Sequence, residues 1–247
     1  LSSSTKAPLL GPNRLASLVE DLAGNGFAVA RDALSSSLVA DLRAEALMLA
    51  EKDALREARI GRGLREVKAR SVRQASISWL DGRSEAQRSF LAGCEDLRLA
   101  INRRLFAGLF EFEAHYAVYP QGGFYAPHLD AFGPAPVPAS RAGFGRTAGR
   151  SRVVSLVTFL NETWHEDDGG ALAIWRDAPL NEGGRLDLTR LSGTVPDALI
   201  QPEGGTLVLM LSEHIPHEVR PTARQRLGLA GWFRVNASIG GLVDPLN

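Results

Sequence analysis

An α+β fold, with helices leading and a mainly β jelly roll or sandwich following, is what the sequence predicts. Two observations carry this expectation. Three segments before residue 107 place apolar residues at helical spacing. From residue 112 onward short β-like runs recur, set apart by Gly-rich turns, the pattern of strands stacked behind a helical buttress. A chain of 247 residues with 45% hydrophobic and 23% charged residues has enough apolar material for one large domain.

Residues 1–12 read as a loose polar lead-in. Leu15, Leu18, Val19 and Leu22 then line one face of a helix that begins at residue 13 and stops near Gly24. Residues 26–30 predict a short strand. Leu38, Leu42, Ala46 and Leu49 define a second helix over 35–54, with Ser35 to Ser37 as capping candidates. The segment 56–73 carries seven basic and two acidic residues, and Gly61 and Gly63 break any helix. It reads either as a solvated loop or as a lid that meets an acidic partner or substrate. Residues 76–80 alternate as a strand, Asp81-Gly82 turns the chain, and 84–106 predict a third helix.

The β-like runs that follow are 112–119, 152–160, 171–175, 206–211 and 227–235. Between them lie Pro120-Gln121-Gly122-Gly123, Asp168-Gly169-Gly170, Glu182-Gly183-Gly184 and Glu203-Gly204-Gly205, all strong turn signals. Residues 131–149 read as a long loop. No internal repeat stands out.

Composition narrows the function classes. Basic and acidic residues number 28 each, so no global charge draws the chain to nucleic acid or an anionic membrane. Cys94 is the single cysteine, which excludes an internal disulfide and a thiolate metal cluster. No run approaches the roughly 18 apolar residues of a membrane span. The first residues lack the basic start and apolar middle of a signal peptide, so the expected location is cytoplasmic.

Chemistry concentrates at His128-x-Asp130. If this segment is extended, both side chains point to one face, and an imidazole nitrogen and a carboxylate oxygen converge. A third ligand must come from His115, His165, His214 or His217. His165 sits in an acidic turn and His115 has no companion at the start of its strand. His214 and His217 follow an apolar strand far along the chain, as a site built from separate strands needs. Two histidines and one carboxylate leave coordination positions open, which favours non-haem Fe(II) over a closed zinc site. A keto-acid cosubstrate on such an iron needs an anchor for its far carboxylate. Arg226, entering an apolar strand nine residues after His217, suits that task, with Arg224 as the lesser candidate.

The ordered set of motifs resembles the Fe(II)/2-oxoglutarate-dependent dioxygenases, specifically the prolyl-hydroxylase group that includes the hypoxia-inducible-factor prolyl hydroxylases. The likeness rests on RQASISWLDG at 73–82, Tyr119-Pro120 leading into Tyr125-Ala126-Pro127-His128-Leu129-Asp130, and Phe159-Leu160-Asn161. Gly169-Gly170-Ala171-Leu172, Pro216-His217-Glu218-Val219, Arg226 and Trp232 follow in the family's order, so the likeness spans about residues 15 to 235.

The resemblance implies a double-stranded β-helix (jelly roll) core at 111–240, supported by helices and strands at 13–110 in a single domain. It implies that His128, Asp130 and His217 bind Fe(II), choosing His217 over His214 by its Pro-His-Glu-Val context. Arg226 would pair with the distal carboxylate of 2-oxoglutarate, Tyr119 would lie beside the cosubstrate, and Trp232 would form the pocket wall. Arg152, Tyr125 and Trp79 fall on the substrate side, and 56–73 matches the family's substrate-covering loop. O2 is the second cosubstrate and ascorbate an expected stimulant. The implied reaction couples decarboxylation of 2-oxoglutarate to succinate with hydroxylation of a C–H bond. Its implied substrate is a prolyl residue in a protein, with a translation elongation factor as the first class of target.

Two departures stand out. Phe159 replaces a family tyrosine that hydrogen-bonds the distal carboxylate, and both 131–149 and 176–201 are enlarged loops. The same residues would equally serve an oxygenase acting on a small molecule or free amino acid. A binding module without activity would have no use for the three ligands and Arg226 together, and nucleic-acid demethylation fits poorly with neutral charge and with Trp232 in place of a second arginine.

Overall fold

The computed structural model describes residues 9–51, 56–57, 72–131, 152–180 and 187–235. The lead-in at 1–8, most of the basic segment and the long loop from 132 to 149 lie outside the described residues. Helix α1 (Pro12–Asn25) begins with Pro in its first turn and ends at Gly26, whose left-handed φ of 78° lets its N–H reach Leu22 O at 3.0 Å. Helix α2 (Ser36–Glu51) starts where Ser35 accepts the Leu38 N–H. Helix α3 (Glu85–Leu105) is capped by Ser84, which accepts the Gln87 N–H at 3.0 Å, and Arg103 and Arg104 sit at its negative end.

Strands β1 (Phe27–Ala30), β2 (Arg56–Glu57), β3 (Ser76–Trp79), β4 (Leu109–Tyr119), β6 (Arg152–Phe159), β9 (Leu207–Leu211) and β11 (Arg226–Val235) build a seven-stranded sheet. Its order is β1-β9-β6-β11-β4-β3-β2. A smaller sheet faces it, ordered β5-β10-β7-β8, from β5 (Tyr125–His128), β7 (Leu172–Ile174), β8 (Ala198–Ile200) and β10 (His217–Val219). The pairings are antiparallel throughout, so this is the two-sheet jelly-roll core, mainly β with N-terminal helices.

Alternation along β4 divides the molecule into layers. Ala114, Tyr116 and Val118 pack with Leu22, Leu42, Phe90 and Leu97 beneath the helices. Ala117 and Tyr119 point the other way and pack with Leu172, Ile174 and Val219 of the small sheet. The space between the sheets is therefore walled by odd-numbered β4 residues, and the site forms there.

Three local expectations change. Residues 176–201 are not a plain added loop: Leu188–Gly193 makes a 3-10 turn, and β8 closes the edge of the small sheet against β7. Strands β5, β8 and β10 have three or four residues each, too few for alternation to signal, and only pairing defines them. Strand β4 begins at Leu109 rather than 112, held by the Leu109–Val235 pair, so His115 is mid-strand and not at its start.

Candidate active site

The three candidate ligands meet because two short strands pair. His217 opens β10 and is the direct cross-strand partner of His128, the last residue of β5. Asp130 follows two residues on, where the chain bends. Asp130 Oδ1 is 3.6 Å from His128 Nε2 and Oδ2 is 3.5 Å from His217 Nε2. The ligand atoms of all three lie within 4.8 Å of one another, and no fourth His, Cys, Asp or Glu joins the group among the described residues.

The surrounding bonds fix the chemistry of these atoms. His128 Nδ1 donates to Ala126 O at 2.8 Å and His217 Nδ1 to Ile215 O at 3.0 Å. Both Nε2 lone pairs are thereby left to face Asp130, the orientation a metal-binding imidazole needs. Burial, then the facing His217, pushes the His128 imidazole down and keeps it neutral. Burial works against the Asp130 carboxylate, but His217, His128 and a hydrogen bond from Ser155 outweigh it and hold the group ionised. Ser155 is itself tied to Ser212 across 2.8 Å. One carboxylate and two imidazoles with one side open fit an iron that must also accept a cosubstrate.

The same cavity, about 160 Å³, runs from the triad to Arg226. Arg226 is 2% exposed and opens β11 opposite Tyr119 of β4. Its Nε donates to Gly170 O at 2.8 Å, and its guanidinium lies 5.0 Å from both the Tyr119 and Phe159 rings. Nη2 is buried with no partner among the described residues. Burial lowers its pKa to about 10, so it remains a cation at neutral pH. A buried cation with a free donor is costly unless an anion arrives.

The mouth is aromatic and basic. Tyr125 stacks on His128 with centroids 3.5 Å apart, and Arg73 sits 4.9 Å above the Tyr125 ring. Arg152 lies 3.6 Å over Trp232 and is held by Glu113 at 3.1 Å. Trp79 is 50% exposed and meets His115 edge-on. Thus Tyr119, Trp232, Arg152, Tyr125 and Trp79 all line the cavity with the triad and Arg226.

The alternatives lie elsewhere. Arg224 donates to Thr163 O, pairs with Asp168 and covers Trp164, so it braces a turn outside the cavity. His165 is exposed and His214 does not line the cavity. Two polar cavity residues, Arg73 and His115, hold no place in the site expected from the sequence. For His115 a signal existed: it is four residues before Tyr119, hence on the same face of an extended strand.

A family model for the 2OG-Fe(II) oxygenase superfamily matches residues 114–234. Among solved structures, a Pseudomonas putida prolyl-4-hydroxylase is 36% identical, with 90% of this chain and 98% of that one covered and a TM-score of 0.69. A Trichoplax adhaerens prolyl hydroxylase in complex with a hypoxia-inducible-factor peptide fragment shares the fold at 22% identity, 90% and 89% coverage and a TM-score of 0.67. The epimerase SnoN, bound to Fe3+, alpha-ketoglutarate and a nogalamycin, does so at 15% identity, 96% and 94% coverage and 0.57. By that likeness over almost its full length, the chain belongs to the 2OG-Fe(II) oxygenase superfamily, in its prolyl-hydroxylase group, and is a dioxygenase dependent on Fe(II), 2-oxoglutarate and O2.

Proposed function

We propose that this enzyme hydroxylates a prolyl residue of a protein, with Fe(II) held by His128, Asp130 and His217 and the distal carboxylate of 2-oxoglutarate held by Arg226. One observation carries the site assignment: a buried guanidinium with an unpartnered Nη2 lines the cavity that also holds the triad. Its planar fork matches a carboxylate. Bound iron would supply the coupling of 2-oxoglutarate and O2 to succinate, CO2 and one oxygen atom inserted into a C–H bond. The chain's residues do the remaining work. The Nδ1–H bonds of His128 and His217 fix both rings, Arg226 orients the cosubstrate, and Val157 and Leu172 give the cavity part of its apolar lining.

A prolyl substrate is supported by the likeness to the Pseudomonas putida prolyl-4-hydroxylase and by the aromatic mouth, where the half-exposed Trp79 offers a flat face to a saturated ring. The Trichoplax adhaerens neighbour, which holds a peptide fragment in this fold, supports a polypeptide over a free amino acid. A translation elongation factor is the first protein to try. The test is succinate formation by the Fe(II)-loaded enzyme on adding intact proteins, with mass spectrometry for one added oxygen on proline. Turnover stimulated only by small molecules would defeat the protein substrate. Unchanged succinate formation in His128→Ala would defeat the iron assignment.

A further inference from the structure

His115 is a polar cavity residue that neither the triad nor the cosubstrate explains. On the large sheet it is flanked by Trp79 of β3 and Ala230 of β11, its direct cross-strand partners, and all three line the cavity. Its ring meets Trp79 edge-on at 5.1 Å and lies 5.4 Å from Trp232. Its Nδ1 is 2.9 Å from Tyr116 O. A carbonyl can only accept, so Nδ1 carries the proton and Nε2 presents a bare lone pair. Burial and the nearby Arg73 and Arg152 keep the ring neutral. No described side chain donates to Nε2.

What could donate to it? 2-Oxoglutarate is a dianion with acceptors only, and O2 has no hydrogen. Of the three reactants, only the substrate can supply an N–H or O–H. A prolyl residue has no N–H of its own, so the nearest backbone donor is a main-chain amide beside it. Two donors on the same cavity walls, Trp232 Nε1 and Arg73 Nε, are buried without partners among the described residues. They suit the carbonyls of such a chain. One acceptor and two donors around an aromatic mouth form a reader of peptide backbone.

We propose that His115 is a specificity-determining residue whose Nε2 accepts a hydrogen bond from a main-chain N–H next to the target proline. The assignment rests on the prolyl reading above. An apolar side chain would fill the wall as well, and histidine there adds a requirement for a donor.

The test is a panel of proline-centred peptides screened for succinate formation by the loaded enzyme. The best peptide is then remade with each neighbouring amide replaced by an ester, which deletes one N–H and keeps the shape. One ester should lose about 10-fold or more in kcat/KM with the wild-type enzyme. His115→Met should lose a similar factor on the amide and no longer distinguish amide from ester. His115→Gln, whose Oε1 can accept, should restore part of the discrimination. Anaerobic titration of 2-oxoglutarate should stay within about threefold of wild type in both variants, which separates substrate reading from a collapsed pocket. A wild-type enzyme indifferent to every ester, or discrimination that survives in His115→Met, would overturn the proposal. Should neither variant fold, nitrogen-15 NMR of the wild type decides: the His115 Nε2 resonance must move when the amide peptide binds, and an unmoved signal overturns the proposal. If no prolyl peptide supports succinate formation, the prolyl reading fails first and the His115 assignment with it.

Discussion

Replacing Arg226 with methionine should separate cosubstrate binding from folding. The wild-type guanidinium gives one bond to Gly170 O and two ring contacts, and keeps a buried Nη2 without a partner. Two charge-assisted hydrogen bonds to a carboxylate, at about 1.5–3 kcal/mol each, predict 2-oxoglutarate binding weaker by roughly 10²- to 10⁴-fold in the variant. Stability should change far less. The fall of the Arg226 pKa from 12.5 to about 10 corresponds to roughly 3 kcal/mol spent on keeping the charge buried. Methionine removes that cost, against about 1 kcal/mol for the Gly170 bond and about 0.5–1 kcal/mol for each ring contact. The two sides nearly cancel, so the apo melting temperature should stay within about 5 °C of wild type. Anaerobic calorimetry with Fe(II) or redox-inert Mn(II) measures binding, and a thermal scan without ligand measures stability. Binding within threefold of wild type would refute the anchoring role. A melting temperature lowered by more than about 10 °C would make Arg226 a structural residue instead.

Other expectations follow from the same geometry. Gly170 has φ +68°, and an added Cβ would lie 3.0 Å from Thr222 Oγ1 and 3.1 Å from Arg226 Cδ. Gly170→Ala should therefore displace Arg226 and weaken 2-oxoglutarate binding by about 10-fold, with a loss of about 1–2 kcal/mol in urea denaturation; unaltered affinity would contradict this. Trp79→Ala should raise KM for a polypeptide substrate by about 3- to 10-fold and leave 2-oxoglutarate affinity alone, since the indole is half exposed at the mouth. An equal effect on both ligands would count against that placement. Burial chiefly lowers the His115 pKa from 6.5 to about 3, so below pH 6.5 the unfolded chain takes up a proton that the folded one refuses. Stability present above that pH is lost as pH falls, by roughly 2 kcal/mol between pH 7 and 5 for this residue. Urea curves of His115→Met should show a shallower pH slope by about that amount, and identical slopes would refute the assignment.

The order of helices and long strands was legible because each carries its own period. Leu18, Val19 and Leu22 mark α1 and the apolar run at 207–211 marks β9 regardless of what lies across from them. His128 and Asp130 were legible as a pair because two residues apart on extended chain means one face. Strands β5, β8 and β10 were not, since three or four residues hold no period and exist only through their partners.

By itself, then, the sequence determined the class of chemistry: two histidines, a carboxylate and an arginine in a known order. Tertiary structure alone decided how they meet. His217 reaches His128 by strand pairing across a long stretch of chain, and Arg226 reaches Tyr119 in the same way on the opposing sheet. It also decided that His115, on the strand that pairs with the one Arg226 opens and four residues from Tyr119, faces the same cavity with a bare lone pair. The physical reason is that residue type is written locally, whereas burial, register and the absence of a hydrogen-bond partner are properties of what packs opposite.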